Sequence, residues 1–195
     1  RDLLGRAVKD ALKRAGPGAT AAGNPEVVAA TAGLGADAFH LAALGLEVTM
    51  VERVPQVAAL LTDALVQAQA GRYGAAARAA AARLRLEQGE AAHALARRLT
   101  AGDPPGVVLL DPMYPGAGKS ALPAKGMALF RDLVGADADA AELLNAALEA
   151  ATLRVVVKRP LKAGYLAGLT PSGSLTGRTT RYDLYAPRRK LPAAE

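Results

Sequence analysis

The sequence predicts an α/β protein built on a doubly wound, mostly parallel sheet that closes with a C-terminal antiparallel hairpin, with helices on both faces. Three observations carry this. Short apolar runs rich in β-branched residues alternate with segments of helical period along the chain. The first run, 26–31, opens through Gly33-Leu34-Gly35 into a helical stretch, which is the strand, glycine turn and helix of a βαβ unit. The last runs, Leu175-Thr176 and 182–185, lie close enough to pair as a hairpin about Gly177.

Taken in order, 1–13 places Leu3, Leu4, Ala7, Val8, Ala11 and Leu12 on one side of a helix, and Gly16-Pro17-Gly18 stops it. The first strand follows at 26–31, and its helix runs to about Leu44. Residues 47–51 form a second strand that ends in Glu52. Pro55 starts a helix that continues to about Ala70, with Val57, Leu60, Leu61, Ala64 and Leu65 inward. After a break at 71–74, the alanine-rich stretch 75–82 reads as helix and 83–87 as a third strand. Gly89-Glu90-Ala91 then turns into a helix through Leu99. Pro104-Pro105 halts anything helical ahead of a buried fourth strand, 106–110. Helices are expected at 124–134 and 138–150, a fifth strand at 152–157, and a short helix or turn at 161–169. One domain at 26–186 results, with an N-terminal helix and connector at 1–25 and a basic tail at 187–195.

Composition narrows the function classes. The 195 residues suit one domain, and no apolar run reaches membrane-spanning length. No basic region leads into an apolar one at the start, so no signal peptide is expected, and the expected location is cytoplasmic. Cysteine is absent, which removes disulfides and thiolate metal sites. His40 and His93 both sit in helical patterns and are expected to be structural or exposed, so no metal site is expected. A net charge of +6 favours an anionic partner.

The chemistry-bearing residues fall at strand ends. Gly33 and Gly35 let the backbone pass close to a ligand, and the following helix N-terminus offers free N–H groups. Glu52, 17 residues after Gly35, stands where an acid of a nucleoside-binding unit accepts from ribose hydroxyls. Glu90, after the third strand, can meet the far end of the same ligand. Asp111-Pro112-Met113-Tyr114-Pro115 follows the fourth strand. Asp111 and the Pro112 carbonyl supply two acceptors, and Tyr114 supplies a flat face. Such a set can hold an exocyclic base amine by its N–H groups against a stacked ring. Gly116-Ala117-Gly118-Lys119-Ser120 is no phosphate loop, because that spacing needs glycine where Met113 stands. Lys119, Lys125 and Arg131 are expected on a basic loop over the substrate.

The set resembles the class I S-adenosylmethionine-dependent methyltransferases, whose fold is a Rossmann-like sheet. Within them, Ala30-Thr31-Ala32-Gly33-Leu34-Gly35, Asp37-Ala38-Phe39, Glu52-Arg53, Asp111-Pro112-Met113-Tyr114-Pro115, Lys119-Ser120-Ala121-Leu122, Leu133-Val134-Gly135 and 154–160 resemble the small-subunit ribosomal RNA methyltransferase J family. The resemblance runs from about residue 2 to about 186. It implies methyl transfer from S-adenosylmethionine to N2 of a guanine in 16S ribosomal RNA, with the RNA or the small subunit as partner. It implies that Gly33, Gly35, Ala36 and Asp37 surround the methionine moiety, that Glu52 and Arg53 hold or flank the ribose, and that Glu90 and Ala91 lie near the adenine. Asp111 touches cofactor and amine, with Pro112 and Tyr114 completing the catalytic set. Lys119, Lys158, Arg159 and Arg181 are candidates for RNA phosphate contacts on charge and position.

The chain departs from the family at three places. Ala29 stands where the family has an acid that ties down the glycine loop, which sets an expectation of weaker cofactor binding. Ala36 stands where the family has arginine, and the family carries an additional N-terminal segment. Two other readings follow: a methyltransferase-fold protein that binds RNA without catalysis, and an amine methyltransferase acting on another base or a protein amide. A nicotinamide-dependent oxidoreductase shares the glycine turn and Glu52 but has no use for Asp-Pro-Met-Tyr.

Overall fold

A computed structural model describes residues 2–15, 26–112 and 139–188. The helix expected at 124–134, together with Tyr114, Lys119, Lys125 and Arg131, lies outside the described residues.

Helix α1 spans Leu3–Ala15. Asp2 caps it, accepting the Gly5 N–H at 2.8 Å, so one orphan donor of the first turn is satisfied. Its Leu4, Ala7, Val8 and Ala11 are buried in the same core as the sheet, and Arg154 donates to the Ala7 carbonyl. The N-terminal helix is therefore part of the domain core. The βαβ units follow as β1 (Val27–Ala29), α2 (Ala36–Ala43), β2 (Val48–Glu52), α3 (Pro55–Gln69), α4 (Gly74–Ala81), β3 (Leu84–Gln88), α5 (Ala91–Thr100) and β4 (Val107–Leu110). After the undescribed segment come α6 (Ala140–Ala150), β5 (Arg154–Pro160), a short 3₁₀ turn at Leu166–Gly168, β6 (Gly173–Thr176) and β7 (Thr180–Tyr185).

These strands form one sheet in the order β3-β2-β1-β4-β5-β7-β6. The first five are parallel, and β7 runs antiparallel to both β5 and β6. Every residue of β1, β2 and β4 is buried, as expected of strands covered on both faces. One hydrophobic cluster gathers α1, α2, α3 and α4 on one face, and a second gathers α5 and α6 on the other. The sheet thus divides the apolar interior into two cores.

Strand β5 is longer than expected. The sequence run stops at Val157, yet pairing continues through Lys158↔Tyr182, Arg159↔Arg181 and Pro160↔Thr180. The partner strand supplies the hydrogen bonds that an isolated Lys-Arg-Pro would not attract, and Pro160, with no N–H, sits at the strand end.

At the end of the sheet where the parallel strands begin, α5 is tied down by a polar network. Arg98 donates to Glu26 ahead of β1, to Glu87 on β3 at 3.0 Å and to the Thr49 hydroxyl on β2. Thr49 also donates to Glu26. This one guanidinium joins three strands to a helix. Replacing Arg98 by alanine leaves the partly buried Glu26 and Glu87 with only the longer contacts of the exposed Arg85 and Arg97, at 3.8 and 3.5 Å. It is expected to lower unfolding stability by on the order of 3 kcal/mol, read as a reduced urea midpoint with an unchanged slope.

Candidate cofactor and active site

The parallel strands end along one edge, and the connections that leave them surround a cavity of about 500 Å³. Its described wall comprises 29–34 and 36–38 at and after the end of β1, Val51 to Arg53 at the end of β2, 89–93 after β3, Leu109 of β4 and Asp111 after it, Asp139, Glu142 and Leu143 at the start of α6, and Lys158 of β5. β1 lies between β2 and β4, and the described helices that follow β1 and β4, α2 and α6, pack on opposite faces, with the crevice at the sheet edge between them.

The glycine turn is held from below and from the side. Gly35 adopts a left-handed φ of 74° as the cap of α2. A Cβ there would lie 2.9 Å from Leu61 Cδ2, so the position needs glycine for both conformation and space. Gly35 shapes the turn and is not part of the cavity wall, whereas Gly33, Ala36 and Asp37 are. Glu52 is buried and fully engaged with backbone: one carboxylate oxygen accepts the Gly33 N–H at 2.9 Å, the other the Val54 N–H at 2.8 Å. The tie on the glycine loop expected of an acid at position 29 is therefore made by Glu52, from the neighbouring strand. Ala29 is buried and lines the cavity.

The exit of β4 is anchored in the same way. The Asp111 N–H donates to the Thr31 hydroxyl at 2.7 Å, which fixes the exit of β4 against the exit of β1. The Asp111 carboxylate is 2.9 Å from the Lys158 ammonium, and the same ammonium donates to Asp37 at 2.6 Å. Pro112 follows and is buried. Arg53 is bonded to both oxygens of Asp139 at 3.1 and 3.3 Å, which joins the end of β2 to the start of α6 and walls one side of the cavity. Glu90 caps α5 with an extended backbone, and Ala91 begins the helix beside it.

A family model described as "Putative SAM-dependent methyltransferase" matches residues 1–187. The chain belongs to this family. It is 53% identical over 169 residues to the ribosomal RNA small subunit methyltransferase J of Stutzerimonas stutzeri, and 52% identical over 169 residues to that of Chromohalobacter salexigens. These alignments cover 87% and 86% of this chain but 63% and 65% of those relatives. The chain thus spans a little under two thirds of their length. A solved SAM-dependent methyltransferase from Neisseria gonorrhoeae is 40% identical with a TM-score of 0.69, covering 88% of this chain and 67% of that one. The rRNA methyltransferase aviRa from Streptomyces viridochromogenes, 20% identical with a TM-score of 0.60 over 93% of this chain and 82% of that one, shares the fold.

The residues present fit the methyl donor of this family. S-adenosylmethionine carries a sulfonium and an ammonium against one carboxylate. Among the described residues, six carboxylates line the cavity (Asp37, Glu52, Glu90, Asp111, Asp139 and Glu142) against the cations Arg53 and Lys158. The cavity volume lies within the range of small-molecule sites, and α2 presents its N-terminus to the cavity with no side-chain cap on the free N–H groups.

Of the residues expected from sequence, Gly33, Ala36, Asp37, Glu52, Arg53, Glu90, Ala91, Asp111 and Lys158 meet at this one cavity. Two cations require correction in placement. Arg159 is buried, and its guanidinium donates to the Gly164 carbonyl at 3.1 and 3.2 Å. Arg181 is bonded to the fully buried Asp183 and to the carbonyls of Leu161 and Ala163, and its guanidinium stands 5.1 Å from the centre of the Tyr165 ring. Both hold the connection after β5, because a buried aspartate and inward-facing carbonyls attract a guanidinium more strongly than solvent does. Thr31, Asp139 and Glu142 were not identified from sequence. Asp139 and Glu142 reach the cavity only through the packing of α6, and no local pattern marks them.

Glu52→Ala removes the acceptor from two backbone N–H groups. Each orphaned donor costs about 1–3 kcal/mol, so a lower urea midpoint is expected together with at least a tenfold loss of S-adenosylmethionine affinity by calorimetry. Glu52→Gln, which keeps one acceptor oxygen, should fall between.

Proposed function

We propose that this chain is the methyl-transferring part of an enzyme that modifies the exocyclic N2 of a guanine in 16S ribosomal RNA. The supporting observation is the Asp111 carboxylate at the mouth of the donor cavity, in a chain about half identical to proteins named ribosomal RNA small subunit methyltransferase J. The free RNA or the small ribosomal subunit is the partner, which places the protein in the cytoplasm.

The methyl donor supplies an electrophilic methyl group on a positively charged sulfur. The protein has to bring a weak nucleophile into line with it, because the guanine amine lone pair is delocalised into the ring. Asp111 accepts one amine N–H, and the Pro112 carbonyl is the proposed acceptor of the other. With both N–H groups held, the nitrogen points at the methyl carbon. The bound donor would give its methyl group to the nitrogen and keep the electron pair of the broken C–S bond as a neutral thioether. The amine proton leaves by way of Asp111 to solvent. Tyr114 is proposed as the surface on which the extruded base stacks. Gly33, Gly35, Ala36, Asp37, Glu52, Arg53, Glu90 and Ala91 serve donor binding.

The RNA-facing cations proposed from the structure are Lys162 and Arg178. Both are exposed, and they belong to the two segments joined by the Leu161 N–H to Thr179 carbonyl bond at 3.0 Å. That junction extends the β5 end of the sheet, the end on which Asp111 and Lys158 stand.

Asp111→Ala is expected to lower kcat for methyl transfer to 16S ribosomal RNA by about 10²-fold or more, with a smaller change in donor affinity, in a radiolabel assay on RNA and on assembled subunits. No transfer by the unaltered chain to either substrate would overturn the reading. Replacing Lys162 and Arg178 together by alanine is expected to weaken RNA binding and reduce the slope of log K against log salt by about 2. Donor affinity should stay unchanged.

A further inference from the structure

The ammonium of Lys158 lies between two carboxylates that come from different elements. Asp37 is in the first turn of α2, and Asp111 follows β4. The parallel register Leu110↔Val157 brings the next residue of each strand, Asp111 and Lys158, side by side. The contacts are 2.6 Å to Asp37 and 2.9 Å to Asp111, and the three side chains are between a quarter and a half exposed. We propose that Lys158 is a positioning residue for methyl transfer: it bridges Asp37 and Asp111 and holds the Asp111 carboxylate ionised and oriented where the target amine arrives. This rests on the function proposed above.

The alternative role for this cation is a phosphate contact, and charge argues against it. One ammonium shared by two carboxylates leaves a group with a net charge of −1, which repels phosphate. The same arithmetic shows what removing the ammonium would do. Two carboxylates brought together without a cation repel one another, so one of them takes up its proton at a higher pH. A protonated Asp111 offers a donor toward an amine that itself needs acceptors, and the amine loses its alignment.

The surroundings support the same assignment. Burial alone would depress the Lys158 ammonium. The charge of Asp111 and the hydrogen bond to Asp37 more than reverse this, so its pKa is raised above the usual lysine value. The other group bearing on the bridge is Tyr182, which faces Lys158 across the β5–β7 ladder and is itself influenced by Asp2 ahead of α1. The Tyr182 phenol is pushed up by burial and by Asp37, so it stays neutral and adds no competing charge at ordinary pH.

The test compares the unaltered chain with Lys158→Met and Lys158→Arg. The first readout needs no RNA: the ¹³C carboxyl resonances of Asp37 and Asp111, assigned with Asp37→Asn and Asp111→Asn, are followed through a pH titration. In Lys158→Met, one carboxyl should titrate roughly 1–3 units higher than in the unaltered chain, and Lys158→Arg should restore most of the difference. The second readout is methylation. The acid limb of the kcat profile should move to higher pH in Lys158→Met, while KM for RNA changes by less than about twofold.

Carboxyl titrations that do not move in Lys158→Met overturn the proposal. So does an unchanged kcat profile accompanied by weaker RNA binding and a salt slope reduced by about 1, the signature of a phosphate contact. A shifted titration in a chain that transfers no methyl group to RNA keeps the charge bridge but overturns its catalytic role, together with the function on which it rests.

Discussion

The site depends on β1 being flanked by β2 on one side and β4 on the other. Because the chain order reverses at β1, α2 and α6 pack on opposite faces of the sheet and a crevice is left at its edge. Every functional group described here reaches that crevice from the end of a parallel strand or the start of a helix. Two backbone-directed bonds hold its rim: the Thr31 hydroxyl on the Asp111 N–H, and the Glu52 carboxylate on the Gly33 N–H. With β1 fully buried and only three residues long, these cross-links, more than the strand itself, fix the positions of the two loops.

Charge is distributed unevenly over the molecule. The protein is basic overall, yet the cavity is lined by more acids than bases. This separation suits a cofactor bearing two positive charges beside a polyanionic substrate. The two cations at the cavity are both spent on acids, Arg53 on Asp139 and Lys158 on Asp37 and Asp111. Arginines further along the chain are likewise used inside the fold. Arg98 joins three strands, and Arg181 with Asp183 supports the connection after β5. A positive charge read from sequence as a phosphate contact can therefore be a structural cation. Burial of the partner carboxylate, as at Asp183, decides between the two.

At Ala29, a buried position on the cavity wall, support for the glycine loop comes from the neighbouring strand. The glycine loop needs an acceptor for the Gly33 N–H, and adjacent parallel strands end within reach of it. Glu52, one strand over, satisfies this donor and the Val54 N–H with the same carboxylate. The bidentate arrangement limits how far Glu52 can swing, and a single side chain then supports both the loop and the cavity wall.

The sequence by itself determined the order and type of the elements, because each is marked locally. Period-2 and apolar runs mark the strands, glycine and proline mark their ends, and an apolar face at helical spacing marks α1. It also marked much of the cavity wall, since Gly33, Asp37, Glu52, Glu90 and Asp111 fall at or just after strand ends, where an α/β sheet collects its ligands. Tertiary structure decided what depends on distance between strands. It extended β5 to Pro160 through pairing with β7 and brought Asp139 and Glu142 to the cavity with α6. It also turned Arg159 and Arg181 inward and set Lys158 between two carboxylates. A side chain's charge is legible in a sequence, but its partner is chosen by register and packing.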